Sequence, residues 1–451
     1  MKRTKPESDV RRNLRTDLVD AAVLEVHGLV REQGWLADRA LDRVLRRERR
    51  LYASERRAVA ETVYGILRAL GQLSWLVSGS LPLEARGSAA PDPATLYAVW
   101  LARTGVPADA AAKRLGVSPK VVSGALDRAD ARIAAIPDPP ARLAVEGSLP
   151  RWIAERFVAE LGEIEARALA RALNERAPLT VRANLLKTTR DALQARLAEE
   201  EVGARPTRFS PWGLVLDGHA NAFALPSFQE GMFEIQDEGS QLVALAVGAR
   251  PGWKVVDGCA GAGGKALALA AEMHGKGSLL ALDSDPERLD EAKRRARRAG
   301  VHNLRARPIP AGSEAEAALA DLAGQCERVL VDAPCSGLGT LRRKPDARWR
   351  LRPDDPARFA ALQKELVLRF ARLVKPGGRL LYATCSIGST ENAEVADFLV
   401  RELPEFEPLP LCVSLGADLG RELGAEGHVL QLLPHRHGTD GFFLAAFTRA
   451  R

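Results

Sequence analysis

The chain has 451 residues, 46% of them apolar and 27% charged, with a formal net charge of +7. That length exceeds what one hydrophobic core sustains, so two or three domains are expected. No run approaches the roughly 18–20 apolar residues of a membrane span, and no apolar segment follows the charged start Met1-Lys-Arg-Thr-Lys5 as a signal peptide requires. A cytoplasmic protein with no membrane partner is the expectation. Five cysteines, at 259, 326, 335, 385 and 412, are too sparse for a disulfide framework, and none form the Cys-x-x-Cys pair of a zinc site. Mild basicity suits a nucleic-acid partner without establishing one. An aromatic content of 5% argues against a broad stacking platform for single strands.

Residues 1 to about 15 are basic and polar and are expected to fray. From Leu18 to about Ala135 every pattern is helical. Ala37, Ala40, Leu41, Val44 and Leu45 line one face of a helix, with Arg39, Arg43, Arg46, Arg47, Arg49 and Arg50 opposite. Those arginines suit a phosphate backbone, or equally a solvated face balanced by Asp38, Asp42, Glu48 and Glu55. A helix over about 54–77 follows, then shorter ones at about 93–104, 107–115 and 118–134. The proline-rich Ile136-Pro-Asp-Pro-Pro140 marks a boundary. Beyond it, a helical pair to about Glu175, strands near 179–184 and 214–216, and a helix opened by Thr188 or Thr189 form a small mixed module. Domains are therefore expected at 1–138 (all-α), 139–234 (small α+β) and 235–451.

The last region alternates strands and helices, the signature of a doubly wound α/β domain. Lys254–Asp257 reads as its first strand and Gly258-Cys-Ala-Gly-Ala-Gly-Gly-Lys265 as a glycine-rich turn into a helix. Ser278–Leu282 is the next strand, ending at Asp283. Further strands are expected at 328–332, 379–383, 428–432 and 442–448. Glycines after a first strand admit a ligand close to the backbone at a helix N-terminus. An acid about 20 residues onward, here Asp283, suits a ribose hydroxyl. Gly261, Gly263 and Ala266 also satisfy a looser dinucleotide fingerprint, so this end alone leaves S-adenosylmethionine and an NAD-type cofactor open. A phosphate-binding P-loop is disfavoured by Cys259 and Ala266 at its required Gly and Ser/Thr positions.

The segment Arg328-Val-Leu-Val-Asp-Ala-Pro-Cys-Ser-Gly-Leu-Gly339 is a buried strand run broken at Pro334, with Asp332 and Cys335 at its end. Arg379-Leu-Leu-Tyr-Ala-Thr-Cys-Ser386 is a second such run, ending at Cys385. A helical pattern between them makes a strand–helix–strand unit whose parallel strands end on one side. Were the strands neighbours, their ends would lie about 5 Å apart. Chemistry in open parallel sheets sits beyond those ends, so two thiols and an acid converge on one crevice.

Asp332-Ala-Pro-Cys-Ser-Gly337 with Thr384-Cys-Ser386 downstream, behind Cys259-Ala-Gly-Ala-Gly-Gly-Lys265, closely resembles the RNA cytosine-C5 methyltransferases. Within them the chain is most similar to the bacterial RsmB (Sun/Fmu) type, which joins a NusB-like RNA-binding domain to a Rossmann-like class I methyltransferase domain. Trp35–Leu45 and Glu61–Arg68 resemble the NusB-like part. Arg342–Trp349, Tyr382–Ser386, Glu391-Asn392 and Asp440–Phe443 also look like family positions, so the resemblance spans nearly the whole chain.

The resemblance implies S-adenosylmethionine as cofactor, held by Cys259, Ala260, Gly261, Ala262, Gly263, Gly264, Lys265 and Asp283, with Asp332 near its methyl. It implies Cys385 as the nucleophile, Cys335 as the thiol that resolves the adduct, and Asp332 as the residue holding the base. RNA, most of all small-subunit ribosomal RNA, becomes the expected partner of a monomeric enzyme. Arg342, Arg343, Lys344, Arg348 and Trp349 would hold the target nucleotide unstacked. Cys326, Cys412 and the Cys259 thiol read as packing, and His435 and His437 as a polar turn rather than a metal site.

The chain departs from the family at Gly261, Ala262 and Ala266, which stand where Ala, Pro and Thr are usual. It also has no acid in Arg305–Ser313, where the family carries one near the adenine. Glu314 or the backbone alone would then serve. The alternative is an RNA-binding assembly factor with a degenerate methyltransferase domain.

Overall fold

The computed structural model describes residues 14–82, 91–218, 221–310, 312, 314–425 and 427–451. The fraying expected of the extreme N-terminus lies almost wholly outside them. The chain divides into two compact units. One runs to Glu175 and also takes in Leu341–Pro353; the other comprises Arg176–Thr340 and Asp354–Arg451. No helix among the described residues is long and apolar enough to cross a membrane.

The first unit contains helices Thr16–Arg31, Ala37–Arg47, Ala53–Ser78, Pro93–Arg103, Ala108–Leu115, Pro119–Leu126, Ala129–Ala134, Pro139–Glu146, Arg151–Leu161 and Glu163–Asn174. Val23, Val26, Val59, Val63, Ile66 and Leu96 fill its core. The arginines of Ala37–Arg47 point to solvent while Ala37, Ala40 and Val44 are buried. The helix expected over 118–134 is broken at Arg128, whose φ of 44° is left-handed. Ile136–Pro140 leads directly into a helix. Pro139 and Pro140 occupy the first turn of Pro139–Glu146, where a missing N–H costs nothing. Asp138 caps that turn by accepting from the Ala141 amide at 2.9 Å. Packing accordingly assigns residues 139–175 to the helical unit.

Arg342–Trp349 corrects a further expectation. This basic segment belongs to the helical unit, with Arg342 and Arg348 buried and Lys344 exposed. Arg348 donates to the carbonyls of Gly147 (3.1 Å), Ser148 (3.1 Å) and Leu173 (3.3 Å) and to Asn174 Oδ1 (2.7 Å). These groups end two helices, whose last carbonyls lack intrahelical donors, so a planar guanidinium serves where caps are missing. Sequence alone could not separate a phosphate-binding arginine from a cap, since both need a cation with several donors.

The second unit holds two sheets. The smaller has strands β1 (Leu179–Ala183), β2 (Ala204–Pro206), β3 (Gly213–Leu216) and β4 (Phe233–Ile235), in the order β2-β3-β1-β4. Helix Arg190–Glu199, capped by Thr189, packs Leu193 and Leu197 against it. The larger has β5 (Lys254–Asp257), β6 (Ser278–Asp283), β7 (Leu304–Pro308), β8 (Cys326–Asp332), β9 (Val374–Thr384), β10 (Phe406–Pro408), β11 (Val429–Leu432) and β12 (Phe442–Arg449). Its main path is β10-β12-β9-β8-β5-β6-β7, with β11 on β12. Strands β5 to β9 run parallel, and β12 lies antiparallel to β9. The expected strands are present; β2, β4, β7 and β10 are additional to expectation, the first, second and last because three residues are too few to show periodicity, and β7 because its alternating arginines and Pro308 do not read as a buried run. Between β5 and β8 the chain order reverses, the switch point at which such sheets bind ligands.

Replacing Arg348 with Met should remove the charged donor from four acceptors, of which Gly147 O keeps the Asn174 side-chain amide at 2.7 Å. Hydrogen bonds to charged groups contribute about 1.5–3 kcal/mol each, partly offset here by removing a buried charge, so a loss of roughly 3 kcal/mol is expected. Urea unfolding of the full chain followed by helical circular dichroism checks this.

Candidate active site

The glycine turn leaves β5 at Asp257 and is fixed by its neighbours' backbones. Gly258 N–H donates to Leu330 O and Ala260 N–H to Leu282 O, both at 2.8 Å. The Gly261 amide donates to Asp283 Oδ2 at 2.8 Å, so the acid expected to serve a ribose also holds the turn. Gly263 has φ +84°, and a β-carbon there would lie 2.8 Å from that of Ala292; only glycine meets both demands. Helix Gly264–Glu272 then starts, its N-terminus at the switch point. The Cys259 thiol packs against the core on one side of the sheet, and burial pushes its pKa well up.

Lys265, on the first turn of that helix, reaches Asp332 at the end of β8 with Nζ–Oδ2 at 2.7 Å. Its ammonium also lies 5.2 Å from the Phe442 ring centroid. Burial alone would lower the Lys265 pKa; Asp332 foremost, then Cys385 and Asp257, outweigh it and raise it.

Parallel pairing sets Asp332 opposite Ala383, so β8 and β9 end together and their following residues meet. Cys335 Sγ and Cys385 Sγ are 3.3 Å apart. The Cys335 thiol is pushed well up, first by its hydrogen bond to Cys385 and then by burial. Close packing keeps the two loops together: a β-carbon on Gly339 would come within 2.1 Å of Gly441 O and 2.8 Å of Cys385 O.

The serines after the two cysteines share one acid. Buried Glu391 accepts from the Ser336 amide (2.7 Å), the Ser336 hydroxyl and the Ser386 hydroxyl (2.7 Å). Gln363, donating to Pro334 O at 2.9 Å and to Glu391 at 3.2 Å, and Tyr382, donating to Gln363 at 3.0 Å, complete the support. In sequence Glu391-Asn392 reads only as a family position, because the contacts of Glu391 depend on a fold that brings together residues 55 apart.

Asp257 was missed. Both its oxygens are buried without a hydrogen-bond partner. Burial, then Asp332, raise its pKa to about 7, with Lys265 opposing. The available signal was an acid closing the first strand directly before the glycine turn. Elsewhere, Cys326 is buried with its thiol pushed up to about 11 by burial, and Cys412 lies apart on helix Cys412–Leu415. His437 Nδ1 accepts from the Leu433 amide at 2.9 Å within a short helical turn. Glu314 is exposed at the start of Glu314–Leu319.

A glycine turn at the switch point, an acid on the next strand and a helix N-terminus make a Rossmann-like nucleoside-cofactor site, and in a methyltransferase the group such a site holds is S-adenosylmethionine. The residues fit that group: the turn admits a close ligand, Asp283 closes the neighbouring strand beside it, and the buried Asp257 carboxyl, with no side-chain partner, suits a donor such as the cofactor's ammonium.

Residues 244–448 match the family described as 16S rRNA methyltransferase RsmB/F, and 149–222 match the ferredoxin-like domain of the same family. A Bacillus subtilis protein named probable ribosomal RNA small subunit methyltransferase B is 36% identical over 315 residues, covering 70% of this chain and 69% of that one. A Synechocystis protein of the same name is 32% identical over 433 residues, covering 92% and 95%. The crystal structure of PH0851 superposes with a TM-score of 0.75 at 28% identity, covering 99% of this chain and 100% of that one. The chain belongs to the RsmB/F family of methyltransferases.

Asp257 makes stability depend on pH. Its pKa rises from the ordinary 3.8 to about 7 in the folded protein, so between these values the folded form keeps a proton that the unfolded chain has lost. Its burial therefore costs nothing below pH 4, costs progressively more as pH rises, and levels off above pH 7. Asp257→Asn removes this dependence. Urea unfolding at pH 4 and pH 8 should show the variant gaining on the wild type by roughly 2–4 kcal/mol between them.

Proposed function

We propose that the protein methylates carbon 5 of a cytosine in small-subunit ribosomal RNA through a transient covalent bond between Cys385 and carbon 6. The observation that carries this reading is the 3.3 Å approach of Cys335 and Cys385 beside the Lys265–Asp332 pair. The relatives' names support the substrate.

Carbon 5 of cytosine is a weak nucleophile. Addition of the Cys385 sulfur to carbon 6 gives carbon 5 enamine character, and only a soft nucleophile that also departs well serves both ends of the reaction. The Lys265 ammonium interacts electrostatically with Cys385 and gives an electropositive setting for a thiolate there. Cys335 retains its proton and can donate toward the neighbouring sulfur. Asp332 holds the base by its amino edge or protonated ring nitrogen, and Lys265 fixes the carboxylate. Bound S-adenosylmethionine supplies the methyl group as an electrophilic carbon. Cys335, once its own proton has passed to solvent, then takes the carbon-5 proton; that electron pair re-forms the carbon 5–carbon 6 double bond and expels the Cys385 thiolate.

In this reading the helical unit contributes RNA affinity through the exposed arginines of Ala37–Arg47. Arg342 and Arg348 are assigned no RNA contact, because they are buried. An assembly factor without turnover would bind the same RNA and fail to methylate it.

The two cysteines should part company on substitution. With unmodified small-subunit ribosomal RNA and cofactor, Cys335→Ala should accumulate a protein–RNA adduct on a denaturing gel, and Cys385→Ala should form none. Normal methylation by both variants would refute these roles.

A further inference from the structure

A cluster of charge in the second unit lies outside this chemistry yet touches the cofactor turn. Arg182 on β1 is buried and pairs in register with Glu234 on β4, itself buried. Arg182 Nη1 donates to Gly264 O at 2.9 Å and to Gln236 Oε1. Helix Pro286–Ala299 supplies Arg295, whose Nη1 donates to Ala262 O at 2.9 Å while its Nη2 donates to Glu234 Oε2 at 2.9 Å. Arg298 binds the other Glu234 oxygen. Two guanidiniums from separate elements thus grip the carbonyls on either side of Gly263, and the Glu234 carboxylate ties Arg295 to Arg298.

The physical consequence follows from peptide planarity. A held carbonyl fixes the whole peptide plane and so aims the next residue's N–H. Gripping Ala262 O and Gly264 O orients the peptides leading into Gly263 and Lys265, within the turn that faces the cofactor. Burying guanidiniums is costly unless each is paired and hydrogen-bonded. Burial pulls the Arg182 pKa down to about 10. A surface cation cannot account for a residue in that position.

We propose that Arg182 and Arg295 are positioning residues for the cofactor turn, so that the small β1–β4 module sets affinity for S-adenosylmethionine. The inference rests on the reading of that turn as the cofactor site. Neither arginine touches the reacting atoms; each acts through the backbone of residues 262–265.

Calorimetric titration of the full-length protein with S-adenosylmethionine tests this, together with KM for the cofactor and kcat on unmodified small-subunit ribosomal RNA. Arg295→Ala and Arg182→Lys should each weaken binding and raise KM by about tenfold, the size of one charge-assisted hydrogen bond. Turnover at saturating cofactor should stay within about twofold, the pattern of lost uniform binding. Arg295→Lys should recover part of the affinity. Arg294→Gln, a solvent-side change on the same helix whose partner is Glu291, should bind like the wild type. Unchanged affinity in Arg295→Ala, or a fall in kcat with affinity intact, overturns the inference. Arg295 lies on a partly exposed helix, so its variants decide the matter even if the buried Arg182 variant does not fold. Failure of the wild type itself to bind would overturn the cofactor reading instead.

Discussion

The parallel ladder joining Arg328–Asp332 to Arg379–Ala383 is the constraint on which this active site depends. Side chains alternate along a strand, so a slip of one residue would turn every side chain of one strand to the opposite face. The register in place ends both strands at the same height, and the chain after each has only a few residues in which to bring its sulfur across. Glu391 finishes the alignment, since it receives both following serines on one carboxylate. The pair of thiols is thus held from the backbone behind it, and neither cysteine depends on a bound ligand for its place.

Charge is arranged around this edge with equal economy. Asp257, Asp332 and Asp283 close three strands around the glycine turn, and Lys265 is the cation set among the first two and Cys385. With one ammonium shared among these groups, one carboxyl stays protonated into the neutral range, and burial selects Asp257. Asp332 is the more open of the two and is bonded to the lysine at 2.7 Å.

Much of this was legible in the chain, for identifiable reasons. Val329–Val331 and Leu380–Tyr382 are uninterrupted apolar runs stopped by turn residues, and such runs have few alternatives to a buried parallel strand. Gly261 and Gly263 advertise close approach, and the two cysteines follow strand ends. What escaped depended on distance in sequence. Arg348 looks like any surface arginine until the helix ends it caps arrive from residues 147–174. Asp257 carries no local sign that both its oxygens go unpartnered. That Pro139 and Pro140 begin a helix was also hidden, because proline both breaks and begins helices and only the Asp138 cap separates the cases.

The excursion Leu341–Pro353 has a consequence for how this protein can be divided. The chain leaves the sheet-bearing unit shortly after Cys335, lends thirteen residues to the helical one, and returns before helix Asp355–Ala371. No single cut therefore yields two complete pieces. A fragment starting at Arg176 would carry Arg348 stripped of every carbonyl it serves, and one stopping at Glu175 would lack the guanidinium that closes its last helices. Separating the two units cleanly takes an excised and rejoined loop as well as a truncation.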